Sequence, residues 1–406
     1  MVRVLNAEWR RSRRASLRAA LGGLAVATLA FVAGCTSTAD MFSSQPQQPQ
    51  QPPQQPTTVG SGQIRVGLIL PLSGQGNAAT VAVSMKNAAE MALAEFNSPN
   101  VQLLIKDDNG SAGGAQTAAA QALEEGAEII IGPLFAHSVG VVGQAARARG
   151  VPVIAFSTDA NVASRGIYLL SFLPESDVDR IVDYAVANGK RSFAAMLPDN
   201  AYGNVVEAAF KQAVARKSAR IVALEKYGLD SSLIAGPART VAAAAARGAD
   251  AVFIPDGAEA VPSVVQQLYA GGLPKGRVQL MGTGLWDDSR MFNVPDLQGG
   301  WFAAPDPQGF RNFSQRYRQR FGSDPVRTAT LSYDAVALVA ALVKTQGAQR
   351  FSETTLTNPS GFTGIDGLFR FRSDGTSERG LAVHRISGSG SAIIAPPPKA
   401  FSGSAN

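Results

Sequence analysis

From residue 64 onward the chain alternates short, mostly apolar runs with longer segments of helical period, and few folds accommodate that pattern. Ile64-Arg65-Val66-Gly67-Leu68-Ile69-Leu70 stops at Pro71 and Ser73-Gly74; residues 80 to 97 then carry a helical period up to Asn97-Ser98-Pro99. Val101 to Lys106 is a second run, turned by Asp107-Asp108-Asn109-Gly110, and a helical stretch reaches Glu125. Glu128 to Ile131 precedes Gly132-Pro133, a further helix ends at Gly150, and Pro152 to Ala155 is a fourth run. After a break near Ser171 to Pro174, strands are expected at Ser192 to Leu197, Arg220 to Lys226, Ala251 to Ile254 and Val278 to Met281. Apolar strands separated by helices predict a parallel sheet covered on both faces, an α/β fold.

One echo runs through this region. An Ala-rich helix followed by Gly126-Ala127-Glu128-Ile129-Ile130-Ile131-Gly132-Pro133 returns as an Ala-rich helix followed by Gly248-Ala249-Asp250-Ala251-Val252-Phe253-Ile254-Pro255. Either any α/β chain repeats such units, or two similar lobes each hold a doubly wound sheet. In such sheets a ligand sits beyond the carboxyl ends of the strands, so two facing lobes would share one cleft and close on it by a hinge.

The first 62 residues have another character. Arg10, Arg11, Arg13, Arg14 and Arg18 precede an uncharged apolar run from Ala19 to Gly34, which is short for a membrane span. It ends in Val32-Ala33-Gly34-Cys35, and Cys35 is the one cysteine of the chain. This resembles a bacterial lipobox, so residues 1–35 are expected to be a lipoprotein signal peptide with Cys35 as the lipidated residue. Ser12 to Arg18 also resembles a twin-arginine signal, which leaves the export route open. Thr36 rather than Asp after the cysteine favours outer-membrane sorting in a Gram-negative cell. Residues 36–62 are a Gln/Pro-rich tether that can bury no face and is expected to be extended. Residues 389–406, rich in Ser, Gly and Pro, are expected to be a disordered tail.

Charge and ligand-forming residues narrow the function. The net charge of +6 lies mostly in the leader: residues 1 to 34 hold six Arg and one Glu. The rest of the chain is nearly neutral, which argues against nucleic acid as a partner. A lone cysteine permits no internal disulfide, and two distant histidines, His137 and His384, exclude a common zinc site. No metal and no cofactor is expected.

From residue 63 to about 388 the chain resembles the leucine/isoleucine/valine-binding branch of type I periplasmic solute-binding proteins. The likeness rests on Ile64 to Gly74, Ile131-Gly132-Pro133, Gly150 to Ile154, Asp199-Asn200-Ala201-Tyr202-Gly203, and Phe362 to Gly367 with Phe369-Arg370-Phe371 and Asp374-Gly375. It implies two Rossmann-like doubly wound lobes joined by three hinge crossings. Lobe 1 is expected at about 63–173 and 303–347, and lobe 2 at about 174–302 and 348–388. Ser73 and Gly74 would then lie at the first strand's end, His137 and Ser138 after the third, and Ser157, Thr158 and Asp159 after the fourth. Tyr202 would close from the second lobe, with Asp256 and Trp286 following later strands of that lobe. The acidic residue such proteins hold for a ligand ammonium is not evident: Trp286 stands near its expected place, with Asp287 just beyond.

The resemblance implies a non-enzymatic periplasmic lipoprotein that binds a small polar ligand, an amino acid or a relative, for an ABC permease. The chain also resembles penicillin-binding protein activators, lipoproteins that act by contact with a peptidoglycan synthase. In both cases Cys35 would be the anchor in a lipid membrane. A remote third reading is a Ser hydrolase. Ala136-His137-Ser138-Val139-Gly140 nearly matches a nucleophile elbow, with His384 as the available base. Gly74-Gln75-Gly76 is too short for a dinucleotide fingerprint.

Overall fold

The computed structural model describes residues 57–96, 99–228 and 230–401. The expected leader, Cys35 and the tether up to residue 56 lie outside the described residues.

The first sheet collects β1 (Thr58–Val59), β2 (Ile64–Leu70), β3 (Val101–Asp107), β4 (Ile129–Ile131), β5 (Val153–Ala155) and β6 (Ile167–Leu169) in the order β1-β3-β2-β4-β5-β6. All neighbours are parallel except β1 against β3. Between the strands run α1 (Ala78–Glu95), α2 (Ala112–Glu124) and α3 (Ala136–Arg147). Local chemistry sets these boundaries. The Ser111 hydroxyl caps α2 by accepting from the Gly114 amide at 3.0 Å. Gly126 takes a positive φ of 83° just beyond that helix, the left-handed turn that lets the Gly126 and Ala127 amides donate to the carbonyls of Leu123 and Ala122.

The second sheet has the order β16-β15-β11-β10-β9-β7-β8. It is built by α4 (Pro174–Ala187), β7 (Ser192–Pro198), α5 (Ala201–Arg216), β8 (Arg220–Tyr227), α6 (Ala235–Ala246), β9 (Ala251–Phe253), α7 (Val261–Ala270), β10 (Gln279–Gly282), α8 (Ser289–Phe292) and β11 (Trp301–Ala304). Strands β7 to β11 are parallel where they pair. Every residue of β7 is buried, as a central strand covered on both faces requires.

The chain then returns to the first lobe with α9 (Pro307–Phe321), α10 (Ala329–Thr345), α11 (Glu353–Leu356) and a small sheet of β12 (Phe362–Gly364), β13 (Gly367–Phe371) and β14 (Ser377–Arg379). Helix α10 is apolar on nearly all sides because it lies inside. Its Leu331, Ala335 and Val339 share one core with Val66, Leu68, Ile129 and Ile154. Helix α9 buries Phe313 and Tyr317 and turns its arginines outward. Finally β15 (Ala382–Ser387) pairs antiparallel with β11, and β16 (Gly390–Ala395) pairs antiparallel with β15.

Two lobes of mostly parallel sheet are therefore joined by three crossings. Four expected boundaries shift. The second crossing follows β11 rather than dividing it, because Trp301–Ala304 pairs with β10 and belongs to the second sheet. The third falls near residue 380 rather than 347: Leu356, Phe369 and Phe371 are buried in the first lobe's core, so residues 348–380 stay with that lobe. The segment expected as a disordered tail forms β16, and residues up to Phe401 are placed. Ile394 packs with Ala395 against the second lobe's core, while Ile393, its neighbour on the opposite face, is exposed. At the other end Thr58–Val59, expected within the tether, adds an edge strand, with Val59 packed on the first core.

Candidate functional site

The parallel strands of each sheet end along one edge, and their loops form a rim. On the first lobe, Ser73 is exposed, and its amide donates to Asp107 Oδ1 at 3.2 Å. Gly74 packs beside Gly110, and a side chain at Gly74 would crowd Pro71 and Ala78 at 3.0 Å. His137 is also exposed. Its Nε2 lies 3.1 Å from the Gly110 carbonyl, and its ring stacks on Phe135 at 5.6 Å. Strand β4 leaves its sheet at Gly132, whose φ of 93° and contact with the Ile69 carbonyl leave no room for a Cβ. Beneath them Asp108 is fully buried and accepts from the Gly110 amide at 2.9 Å. Burial raises its carboxyl above the usual range, with Asp107 adding to the rise.

The loop after β5 adds hydroxyls. Ser157 Oγ accepts from the Asp159 amide at 3.1 Å, which leaves its own hydrogen able to donate. Thr158 is exposed, and Asp159 turns to its own loop, accepting from the amide and side chain of Asn161.

On the second lobe the Asn200 side chain caps α5 by accepting from the Gly203 amide at 2.8 Å, which fixes Tyr202 on the first turn. The Tyr202 hydroxyl pairs with Thr283 Oγ1 at 3.1 Å, and burial pushes its pKa up. Asp256 accepts from the Tyr227 hydroxyl at 2.6 Å and from the Gly257 amide at 2.7 Å. Asp177, near the start of α4, accepts from the Gly284 amide at 2.9 Å. Burial raises its carboxyl to about 7.

Charges on the two lobes sense one another at the boundary. The Asp287 carboxyl, on the loop after β10, is raised by desolvation, opposed by His384 of its own lobe and by Arg327 and Arg311 of the first. Glu175 of the second lobe is raised by burial, with Asp179 and the first lobe's Asp159 adding to it while Arg372 opposes. The crossings themselves are held by an aromatic and guanidinium cluster. Arg327 grips buried Asp366 with both terminal nitrogens, at 3.0 and 2.6 Å, and lies 4.6 Å from the rings of both Phe172 and Phe310. Arg379, also 4.6 Å from the Phe172 ring, donates its Nε to the Ser171 carbonyl at 2.8 Å. Phe172 of the first crossing thus touches two arginines from later parts of the chain.

Most expected residues stand on the two rims, but two do not. Ser138 is fully buried in the first turn of α3, and its Oγ has no partner among the described residues. Trp286 is fully buried and donates its Nε1 to the Ile254 carbonyl at 3.0 Å. Gly282 and Gly300 lie against its ring, so it fills the core beneath the loop instead of facing a ligand. The hydrolase reading also loses its geometry, because His384 is buried in the other lobe and stacks on Phe302 at 5.0 Å. Asp177 and Thr283 escaped the sequence reading. An acid in a helix's first turn reads as a dipole partner, and only the fold brings Gly284 to Asp177.

Comparison with known proteins agrees with this geometry. A family model described as periplasmic binding protein matches residues 63–391. No curated protein matches the chain by sequence. Among solved structures, a protein of Rhodospirillum rubrum provisionally assigned as a branched-chain amino acid ABC transporter superposes with a TM-score of 0.71 at 18% identity, over 82% of this chain and 99% of that one. A branched-chain amino acid ABC transporter periplasmic ligand-binding protein of Burkholderia xenovorans gives 0.65 at 18% identity, over 83% and 96%. An ABC transporter substrate-binding protein of Desulfitobacterium hafniense, solved in complex with Leu, gives 0.58 at 17% identity, over 82% and 99%. With two lobes, three crossings and a family match over most of its length, the chain belongs to the periplasmic binding protein family.

Proposed function

We infer that this protein is a lipid-anchored periplasmic binding protein that captures a small, carboxylate-bearing ligand, an amino acid or a relative, for an ABC-type permease. The observation that carries this reading is the pair of rims. Ser73, Ser157 and Thr158 offer hydroxyls on one lobe, with Gly74 beside them, and Tyr202 with Asp287 stands on the other. Similar folds hold Leu in the Desulfitobacterium hafniense protein and benzoate in a Rhodopseudomonas palustris protein, and a carboxylate is what those ligands share. Hydroxyl and amide donors suit such a group. Asp256 is engaged by Tyr227, so an ammonium group would fall to Asp287. A thermal-shift screen of amino acids and aromatic acids tests this. A rise in melting temperature that Ser157→Ala together with Thr158→Ala abolishes is the expected result. A silent screen, with nothing co-purifying by native mass spectrometry, overturns it.

Two features favour a second reading, a penicillin-binding protein activator. The facing acid Asp256 is already bonded, and the Gln/Pro-rich segment suits reach across the envelope. In that case the ligand screen stays silent and the protein captures a peptidoglycan synthase from solubilised envelope. Anchoring is read separately, from incorporation of labelled fatty acid that Cys35→Ala abolishes.

A further inference from the structure

The chain does not end at its third crossing. After β16, on the second lobe, Pro396-Pro397-Pro398-Lys399-Ala400-Phe401 leaves the sheet and reaches the first lobe. Its departure is fixed by Arg180 of α4, which donates Nε to the Leu381 carbonyl at 2.8 Å and Nη2 to the Pro396 carbonyl at 3.1 Å. One side chain of the second lobe thus holds both the third crossing and the start of the segment. Three consecutive prolines keep the path extended without internal hydrogen bonds. Pro398 passes over the crossing at Gly380, where a Cβ would meet its Cγ at 3.1 Å. The segment ends on the first lobe. The Phe401 ring lies 4.5 Å from the Arg370 guanidinium, and a Cβ at Gly361 would meet Phe401 Cε2 at 2.8 Å. Arg370 is itself buried and paired with Glu378 at 2.8 Å, so the ring rests on a fixed base. Beneath the segment a cavity of about 210 Å³ is lined by Glu175 and Asp179 of the second lobe and by Arg372 and Glu378 of the first.

The geometry points to residues 396–401 acting as a strap that clasps the two lobes across the third crossing and holds their cleft at one opening. The strap is tied to the second lobe at Arg180 and to the first at Phe401, so any rotation about the crossings must stretch it or pull the ring off Arg370. Extended proline has little slack to give, and the ring contact is the weaker tie. Lobe motion is then gated by release of Phe401. This concerns how the lobes move and does not depend on which ligand the cleft takes.

Pulsed dipolar spectroscopy tests it on the full-length chain carrying Cys35→Ala, with nitroxides on Gln121→Cys in α2 and Gln212→Cys in α5, both exposed and one on each lobe. The strap predicts one narrow distance distribution for the parent. Phe401→Ala, and a chain stopped after Ala395, should each broaden or shift it. Phe401→Tyr keeps the ring on Arg370 and should leave the parental distribution. A parent that is already broad overturns the proposal, as does a distribution that neither Phe401→Ala nor the shortened chain alters. Equal broadening in Phe401→Tyr also overturns it. If the shortened chain fails to fold, the two single substitutions decide.

Discussion

Asp177 joins the second lobe's rim to the crossings, and its chemistry is unusual for a carboxylate. It is held by the Gly284 amide, while burial lifts its pKa to about 7, with Arg379 pulling it down and Glu175 pushing it up. Asp334 of the first lobe is likewise raised to about 7 by burial, with nearby Asp366 adding to the rise. A carboxyl whose folded pKa exceeds its unfolded value binds a proton more tightly when folded. Its contribution is therefore complete below the unfolded value and is lost as pH rises through the folded one, between roughly pH 4 and 7. Stability should fall across that window, and Asp177→Asn should remove part of the slope. Urea titrations at a series of pH values should find that variant more stable than the parent by about 1–2 kcal/mol at pH 8. An unchanged slope would mean that Asp177 is charged in the folded protein.

Among single residues, those in loops directly after strands were the most legible. Ser73, Ser157 and Tyr202 could be placed because Pro71, the Ala155 strand end and the Asn200 cap mark where each rim begins. Trp286 misled, since a tryptophan after a strand resembles a ligand platform. Its ring is drawn inward by the room that Gly282 and Gly300 leave, and Gly300 comes from a different loop.

Between elements, the Phe172 cluster carries the clearest prediction. Its ring meets Arg327 and Arg379, and those guanidinium groups also lie near Phe310 and Phe369. A cation near an aromatic face is worth about 0.5–2 kcal/mol according to its desolvation. Phe172→Ala removes two such contacts and the ring's own packing, so a loss of about 2–4 kcal/mol in urea denaturation is expected. Phe172→Leu should recover packing but not the cation contacts, and should fall between the two. The elements themselves were readable from periodicity, because apolar runs bounded by Gly and Pro marked β2 to β5 and β7 to β10 within a residue or two. Their assignment to a lobe was not. Phe369 and Phe371 announce a strand with one apolar face, but the core that receives them is made by Leu331 and Tyr168, far away in sequence. In the same way, the Ser/Gly/Pro composition after Ser387 hid β16, whose signal is the single pair Ile393-Ile394.

At the scale of the whole molecule, neither lobe is continuous. The first needs residues 57–173 together with about 306–380, and the second needs 174–304 together with 381–395. Stopping the chain after Thr345 should therefore unfold the first lobe, since it removes Leu356, Phe369 and Phe371, each at most 1% exposed. Loss of cooperative thermal unfolding, followed by circular dichroism, checks this. A truncated protein that melts like the parent would show that the small sheet of β12 to β14 is dispensable.

The late return of β13 to a core begun by β2 also has a consequence in time. While the ribosome is still adding the middle of the polypeptide, the half-built nucleus around Val66 and Leu68 lacks the phenylalanines that complete it. A nascent chain of this design cannot complete its first lobe until Phe371 has been added. Until then the strands around Val66 and Leu68 wait for partners that arrive late in synthesis, so a lobe begun first is closed after most of the other has been made.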